Sequence, residues 1–377
     1  MDFNFLIKTK VNVGALEELK NYIRKTLKNK QVLLVLSSSM EERFQLSEFI
    51  KELQDKNVMS RIKSVPSNPT EIDIKESLEH LEEDFNYVIA FGGGSAIDLA
   101  KAVMALQYLR AQNLEGDTIL KAIETKDYME KERVCDFLAI PTTAGTGSEV
   151  TSWATVWKSD RSGKLSVDAP WLAPTCAFVV PELTIPMSNR LTIATGLDAL
   201  THATESYWSK KSNPIVRELS KTAIKTIVKY LPKVIADKDN VYYREKMCIG
   251  SVFAGLAFAN TRTTACHSIS YPLTMKYGIE HGFAVAVTLV EVMKYNQSKI
   301  VEFKELLDAF GAGTPEDIKE WMDSVCKEIQ PLILSSFNIR REDLEAIAGQ
   351  SFTAGRMDNN PAELDVNDVK GILERCY

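Results

Sequence analysis

The period of the apolar residues changes once along this chain, and that change divides its architecture in two. Up to about residue 186, short β-type runs alternate with amphipathic stretches; beyond it, apolar residues recur three and four apart and strand-like alternation stops. Alternating strands and helices bury their faces as βαβ units around a mainly parallel sheet, whereas a helical period demands helix packed on helix. QVLLVLSS from Gln31, VMSRIKSV from Val58, YVIAF from Tyr87 and DFLAIP ending at Pro141 read as strands, with further β-type pieces over 153–157 and 177–180. Helices are expected over 40–55 and 70–83. In the second half, Asn213 before Pro214 reads as an N-cap with proline at the first helical position, followed by a stripe of Ile215, Leu219, Ala223, Ile227 and Leu231. Thr314-Pro315-Glu316-Asp317 opens another helix in the same way. The boundary is expected in PELTIP, giving an α/β domain over 1–184 and an all-helical domain over 185–377. A chain of 377 residues is long enough for two such cores.

Composition narrows the partners. A net charge of -6 excludes a broad nucleic-acid surface but leaves room for a local basic pocket, so a small molecule is the expected partner. No apolar run has the length of a membrane span, and MDFNFLIKTKVNVG lacks the marks of a signal peptide. The six cysteines form no CxxC pair, which suits a reducing compartment. A cytoplasmic protein without membrane or nucleic-acid partners is expected.

There are only four histidines, His80, His202, His267 and His281. Asp198 and His202 are four apart in GLDALTHATES, so a helix presents them on one face, one turn from each other. His267 and His281 could complete a set of one carboxylate and three imidazoles, a mixture suited to iron(II) or zinc. An Asp-x-x-x-His pair on its own is commonly just a polar helix pair. His281 argues for more, because GIEHG puts it among turn-forming residues where it has no packing task. His80, in LEHLEEDF, reads as a solvated helix residue.

A second signal concerns phosphate. YVIAFGGGSAIDLAKAV runs a strand into Gly92, Gly93, Gly94 and Ser95 and then at once into a helix, which directs backbone N–H groups and the positive helix end at one place. The motif is not GxGxxG and is weak alone. PTTAGTGSEVT follows another strand and offers the hydroxyls of Thr142, Thr143, Thr146 and Ser148. Two such loops in one domain favour a dinucleotide.

GGGSAIDLAK, PTTAGTGSEVT, GLDALTHATESY, and His267 with His281 in GIEHG occur in an order that closely resembles the iron-containing (group III) alcohol dehydrogenases, over nearly the whole chain. The resemblance implies the dehydroquinate-synthase-like fold of that family: an N-terminal dinucleotide-binding α/β domain, an all-α C-terminal domain, and a catalytic metal in the cleft between them. It implies Asp198, His202, His267 and His281 as ligands of iron(II), with zinc as the other candidate. Gly93, Gly94, Ser95 and Asp98 would line NADH or NADPH, with Thr142, Thr143 and Lys164 contacting it further. A homo-oligomer, a dimer, is expected.

Two departures from the family pattern bear on chemistry. Tyr271 stands where most members carry a further histidine, four residues after the third ligand, so the proton for the alkoxide would come from Tyr271, a cofactor ribose hydroxyl or water. Before His267 the chain reads Thr261-Arg262-Thr263-Thr264, and TRTTACHSISYPLTMKYGIEHG resembles the phosphonoacetaldehyde reductase branch of the family. A guanidinium beside a metal repels it unless an anion lies between them, so Arg262, aided by Thr261, Thr263 and Thr264, is expected to grip an anionic substrate. Phosphonoacetaldehyde comes first, and succinic semialdehyde, lactaldehyde or butanal-type aldehydes are alternatives. Ser37, Ser38 and Ser39 stand where relatives that favour NADH often show aspartate, so Ser38 is counted with the cofactor residues and NADPH should be tolerated. A dehydroquinate-synthase-like lyase and a non-catalytic nucleotide-binding protein are the rival readings.

Overall fold

The described residues of the computed structural model are 8–81, 83–110, 114–131 and 135–377. They form two units: one runs to Thr143 and resumes over Ser148–Thr184, and the other holds Ala144–Gly147 and Ile185–Tyr377.

The first unit contains strands β1 (Lys10–Val13), β2 (Gln31–Leu36), β3 (Val58–Ile62), β4 (Tyr87–Gly92), β5 (Asp136–Pro141), β6 (Trp153–Trp157), β7 (Lys164–Asp168) and β8 (Cys176–Val179). Six pair in parallel in the order β1-β8-β5-β4-β2-β3, and β6 and β7 form a separate antiparallel ribbon. Its helices are α1 (Leu16–Thr26), α2 (Ser38–Arg43), α3 (Ser47–Gln54), α4 (Glu71–Glu79), α5 (Gly94–Leu106) and α6 (Gly116–Thr125).

A parallel sheet is covered on both faces, which is why β4 is apolar and buried at every position. Its side chains alternate between two cores. Val88 and Ala90 join Ile74, Ile97 and Ile119 on one face, while Tyr87, Ile89 and Phe91 join Leu19, Ile50 and Leu138 on the other. Each fully buried aliphatic or aromatic side chain contributes about 1.5–3 kcal/mol. After β3 the chain jumps back over β2 to β4, so strand order reverses between β2 and β4. Their carboxyl ends, at Ser37–Ser39 and at Gly92–Gly94, flank the point where doubly wound sheets bind ligands.

Four sequence expectations need correction here. The helix read over 40–55 is two helices, α2 and α3, separated at Gln45, which takes φ 52°. Phe44 and Leu46 both pack on the same core, and two residues apart on one continuous helix they would point to nearly opposite sides. The helix over 70–83 ends at Glu79, capped at its start by Thr70, whose Oγ1 accepts from Asp73 N; Glu82 lies outside the described residues. The strands from Gln31 and Val58 stop short, at Leu36 and Ile62.

The second unit consists of helices α7 (Asn189–Trp208), α8 (Pro214–Ala236), α9 (Val241–Thr261), α10 (Ala265–Tyr277), α11 (His281–Ala286), α12 (Leu289–Asn296), α13 (Phe303–Phe310), α14 (Pro315–Cys326), α15 (Leu344–Gly349) and α16 (Val366–Arg375). Among the described residues, no helix is long and apolar enough to cross a membrane. Asn213 caps α8, its Oδ1 accepting from Val216 N, and Thr314 caps α14 by accepting from Asp317 N. The buried stripe of α8 is Val216, Ser220, Ala223, Ile227 and Leu231; Ile215 is exposed and Leu219 half-buried, so the stripe read from sequence was displaced by one position in its first turns.

Helix α7 is the central element and is buried from Thr192 to Trp208 except at Thr195, although it carries four threonines together with Asp198, His202, Glu205 and Ser206. The hydroxyls of Thr201, Thr204 and Ser206 donate to the carbonyls of Leu197, Leu200 and His202 one turn back, which removes the penalty of burying them.

Candidate functional site

In the helical unit four predicted residues converge. Asp198 and His202 lie one turn apart on α7, His267 is the third residue of α10, and His281 begins α11. Asp198 Oδ1 stands 3.7 Å from His202 Nε2, 3.5 Å from His267 Nε2 and 3.8 Å from His281 Nε2. The ligand atoms of Asp198, His267 and His281 all lie within 4.8 Å of one another. His202 stacks between Phe258, at 4.1 Å between ring centroids, and His267, at 4.6 Å.

One close approach makes this convergence possible. A Cβ on Gly282 would lie 1.8 Å from the carbonyl oxygen of Ala194, so α11 meets α7 backbone to backbone, and only glycine fits. Ala194 is one turn before Asp198, and Gly282 follows His281. The contact therefore sets the distance between two of the four groups.

Electrostatics within the cluster are strongly coupled. Burial pushes the Asp198 carboxyl up, but the three surrounding histidines outweigh it and hold it well below the usual carboxylate range. Burial lowers His202 to about 4, against the attraction of Asp198. His267 is also buried, yet the carboxylates of Glu205 and Asp198 raise it to about 9.

The donor set fits a divalent ion. Asp198 Oδ1 and His267 Nε2 are buried and neither closes a hydrogen bond, an arrangement that polar atoms avoid unless a ligand completes it. Two ligands at about 2.1 Å from a tetrahedral ion stand about 3.4 Å apart, close to the separations around Asp198 Oδ1.

Tyr271 follows His267 by one turn, is buried, and stacks 6.5 Å from the His281 ring. Arg262 ends α9 with φ 66° and ψ 175°, a conformation non-glycine residues rarely adopt. It is held there from both sides: Asn359 Nδ2 donates to the carbonyls of Thr261 and Thr263, at 2.9 and 3.0 Å, and Arg262 N donates to Phe258 O. Thr263 is buried beside it. The Thr264 hydroxyl accepts from Trp208 Nε1 and donates to Glu205, which leaves it no proton for a substrate.

In the α/β unit, Gly92 ends β4, Gly93 is the N-cap of α5 with no side-chain cap, and Gly94 is the first helical residue. A Cβ on Gly93 would sit 3.5 Å from Thr143 Oγ1. Both Thr142 Oγ1 and Thr143 Oγ1 are buried without a hydrogen-bond partner, so two hydroxyls and a bare helix start surround the glycine turn. This chemistry fits a pyrophosphate. Ser95 Oγ accepts from Asn68 N, in a loop where Asn68 takes φ 56°. Asp98 is engaged by protein groups at both oxygens: Oδ1 accepts from Ser148 Oγ at 2.5 Å and Oδ2 from Thr155 N at 2.9 Å. Lys101, fully buried, donates to Ser148 O, Thr151 Oγ1 and Trp153 O. Ser148 thus belongs to a clamp that fixes the second loop, while Thr146 belongs to the other unit. Lys164 begins β7, its Nζ 5.8 Å from the Trp157 ring centre. Ser38 is the first residue of α2, after Ser37, whose Oγ accepts from Met40 N.

Sequence reasoning missed Glu205, Asn359 and Gly282. Glu205 carried a signal: Asp198, His202 and Glu205 are spaced by four and three residues and so form one stripe on α7. Asn359 carried none, since it reaches Thr261 and Thr263 from about a hundred residues away.

Family models confirm the relationship the motifs suggest. The iron-containing alcohol dehydrogenase model matches residues 8–181, and that of the C-terminal region of the Fe-containing alcohol dehydrogenase family matches 192–377. The chain is 29% identical to an NAD-dependent methanol dehydrogenase of Bacillus methanolicus, covering 96% of each chain. It is 32% identical to a phosphonoacetaldehyde reductase of Streptomyces viridochromogenes over 76% of this chain and 74% of that one. Its structure resembles that of sulfoacetaldehyde reductase from Bifidobacterium kashiwanohense in complex with NAD+, with a TM-score of 0.87, 26% identity, and coverage of 100% and 99%. The chain belongs to the iron-containing alcohol dehydrogenase family.

Proposed function

We propose that this enzyme reduces a small anionic aldehyde, phosphonoacetaldehyde in the first instance, with NADH or NADPH, at a divalent metal held by Asp198, His202, His267 and His281. The observation that carries the reading is the convergence of three imidazoles on the buried Asp198 Oδ1. When bound, the ion supplies Lewis acidity toward the carbonyl oxygen and the dihydronicotinamide supplies hydride. The glycine turn at Gly92, Gly93 and Gly94, with Ser95, Thr142 and Thr143, would hold the pyrophosphate. Tyr271 is the protein's candidate for delivering the proton that completes the alcohol.

The anionic substrate rests on Arg262, kept in an unfavourable backbone conformation by the bonds from Asn359. Strain of this kind costs about 1–3 kcal/mol and favours a functional role for the side chain. Arginine suits a tetrahedral oxyanion, and Thr263 stands next to it. Relatives named for phosphonoacetaldehyde and for sulfoacetaldehyde, both two-carbon aldehydes with a tetrahedral anion, support the same class. The lyase and non-catalytic readings have no comparable support.

The test compares Arg262→Ala with the parent on phosphonoacetaldehyde and on propanal, with iron or zinc bound. Losing a charge-assisted contact should cost about 1.5–3 kcal/mol in kcat/KM for the phosphonate and little for propanal. Equal losses on both, or a parent that prefers propanal, would refute the anionic substrate and leave the dehydrogenase intact.

A further inference from the structure

We propose that Glu205 is a positioning residue of the metal site, fixing the Nδ1–H tautomer of His267 so that Nε2 faces Asp198 as a ligand. The inference rests on the metal reading above.

Glu205 is fully buried on α7 and its carboxylate receives four donors. Oε1 accepts from Thr264 Oγ1 at 2.8 Å and Cys266 N at 2.6 Å, and Oε2 accepts from Thr264 N at 3.0 Å and His267 Nδ1 at 2.5 Å. The Thr264 proton must point to Glu205, because the Trp208 indole that contacts the same hydroxyl can only donate. Four donors saturate the lone pairs of an ionised carboxylate, so the fourth partner, His267 Nδ1, donates as well. With a proton held on Nδ1, Nε2, at the opposite edge of the ring and 3.5 Å from Asp198 Oδ1, is the nitrogen whose proton an ion would displace and whose lone pair it would take.

The same carboxylate supplies what α10 lacks. Its N-cap residue, Thr264, makes no side-chain cap, and Glu205 of α7 takes its place at the positive end of the helix. One stripe of α7 therefore carries two proposed ligands, Asp198 and His202, and the group that aims the third. Carboxylates that bond the far nitrogen of a ligating histidine typically govern metal affinity about 10–100-fold.

Glu205→Gln keeps the shape but replaces an acceptor oxygen with an NH2 that faces donors. It should weaken zinc binding, measured by chelator competition, by at least about tenfold, while the metal-free variant still unfolds cooperatively. Thr264→Val serves as the structural control: it removes a hydroxyl from Glu205 without touching His267, and should lower stability while leaving zinc affinity within about threefold. A third measurement needs no variant fold. In zinc-loaded parent protein labelled with 15N-histidine, the His267 resonance should show a protonated, slowly exchanging Nδ1 and a metal-bound Nε2. Unchanged affinity in Glu205→Gln, equal loss in Thr264→Val, or ligation through Nδ1 overturns the proposal. If the parent itself binds no zinc or iron, the metal reading fails instead.

Discussion

Replacing Gly282 with alanine tests how the site is assembled rather than what it binds. The added Cβ would fall 1.8 Å from Ala194 O and 2.4 Å from its carbonyl carbon, both main-chain atoms of α7 that cannot rotate away. A carbon and a carbonyl oxygen in ordinary contact stand about 3.3 Å apart, so α11 must retreat by about 1.5 Å. His281 is the adjacent residue, and its Nε2 starts 3.8 Å from Asp198 Oδ1. A shift of that size takes an imidazole out of coordination range, since metal–ligand distances tolerate only about 0.2 Å. Overpacking adds a stability loss of about 1–3 kcal/mol, and each kcal/mol lowers Tm by about 2–4 °C for a body of this size. Zinc or iron(II) affinity, read by chelator competition, should fall by at least about tenfold, as should kcat/KM. Gly349→Ala is the control, because a Cβ there meets nothing within 4 Å. If Gly282→Ala binds metal and melts like the parent, the backbone contact does not set the ligand geometry and the reasoning is refuted.

His267→Ala should lose bound metal and activity together, and metal content that persists in this variant counts against the ligand set. The neutral edge at Ser37, Ser38 and Ser39 should keep any preference for NADH over NADPH below about a hundredfold, or roughly 2.7 kcal/mol, as judged from kcat/KM with each cofactor. Asn359→Ala removes the donor to the Thr261 and Thr263 carbonyls and the acceptor of the Ser209 hydroxyl. Chemical denaturation should show a loss of about 1–3 kcal/mol. A selective rise in KM for the phosphonate should accompany it as Arg262 relaxes, and unchanged KM would detach Arg262 from substrate binding.

The parts of this molecule that could be read from its sequence are those whose cause is local. Strand β4 is buried on both faces by its own apolar run, α8 is started by Asn213 and Pro214, and the pair Asp198 and His202 is brought together by one helical turn. The break at Gln45 was missed because two short helices and one long one share nearly the same composition, and only contact with the sheet distinguishes them. Helix α7 shows a deeper reason for illegibility. Its threonines, serine, histidine and glutamate are polar, yet the helix is buried, because the hydroxyls bond its own backbone and Glu205 is saturated by donors from α10 and its N-cap residue. A polar side chain can be buried when its partners are supplied, and here the partners of Glu205 come from about sixty residues downstream, beyond the reach of any periodicity. Long-range contact also explains Gly282, which in the sequence is one more turn glycine and in the structure is the point where α11 touches α7. Residues that hold the ligands in place thus depend on long-range contacts, whereas the ligands themselves announce their chemistry in place. That division predicts where substitutions will mislead: changes at Glu205, Asn359 or Gly282 should impair the enzyme although none of the three is a proposed ligand.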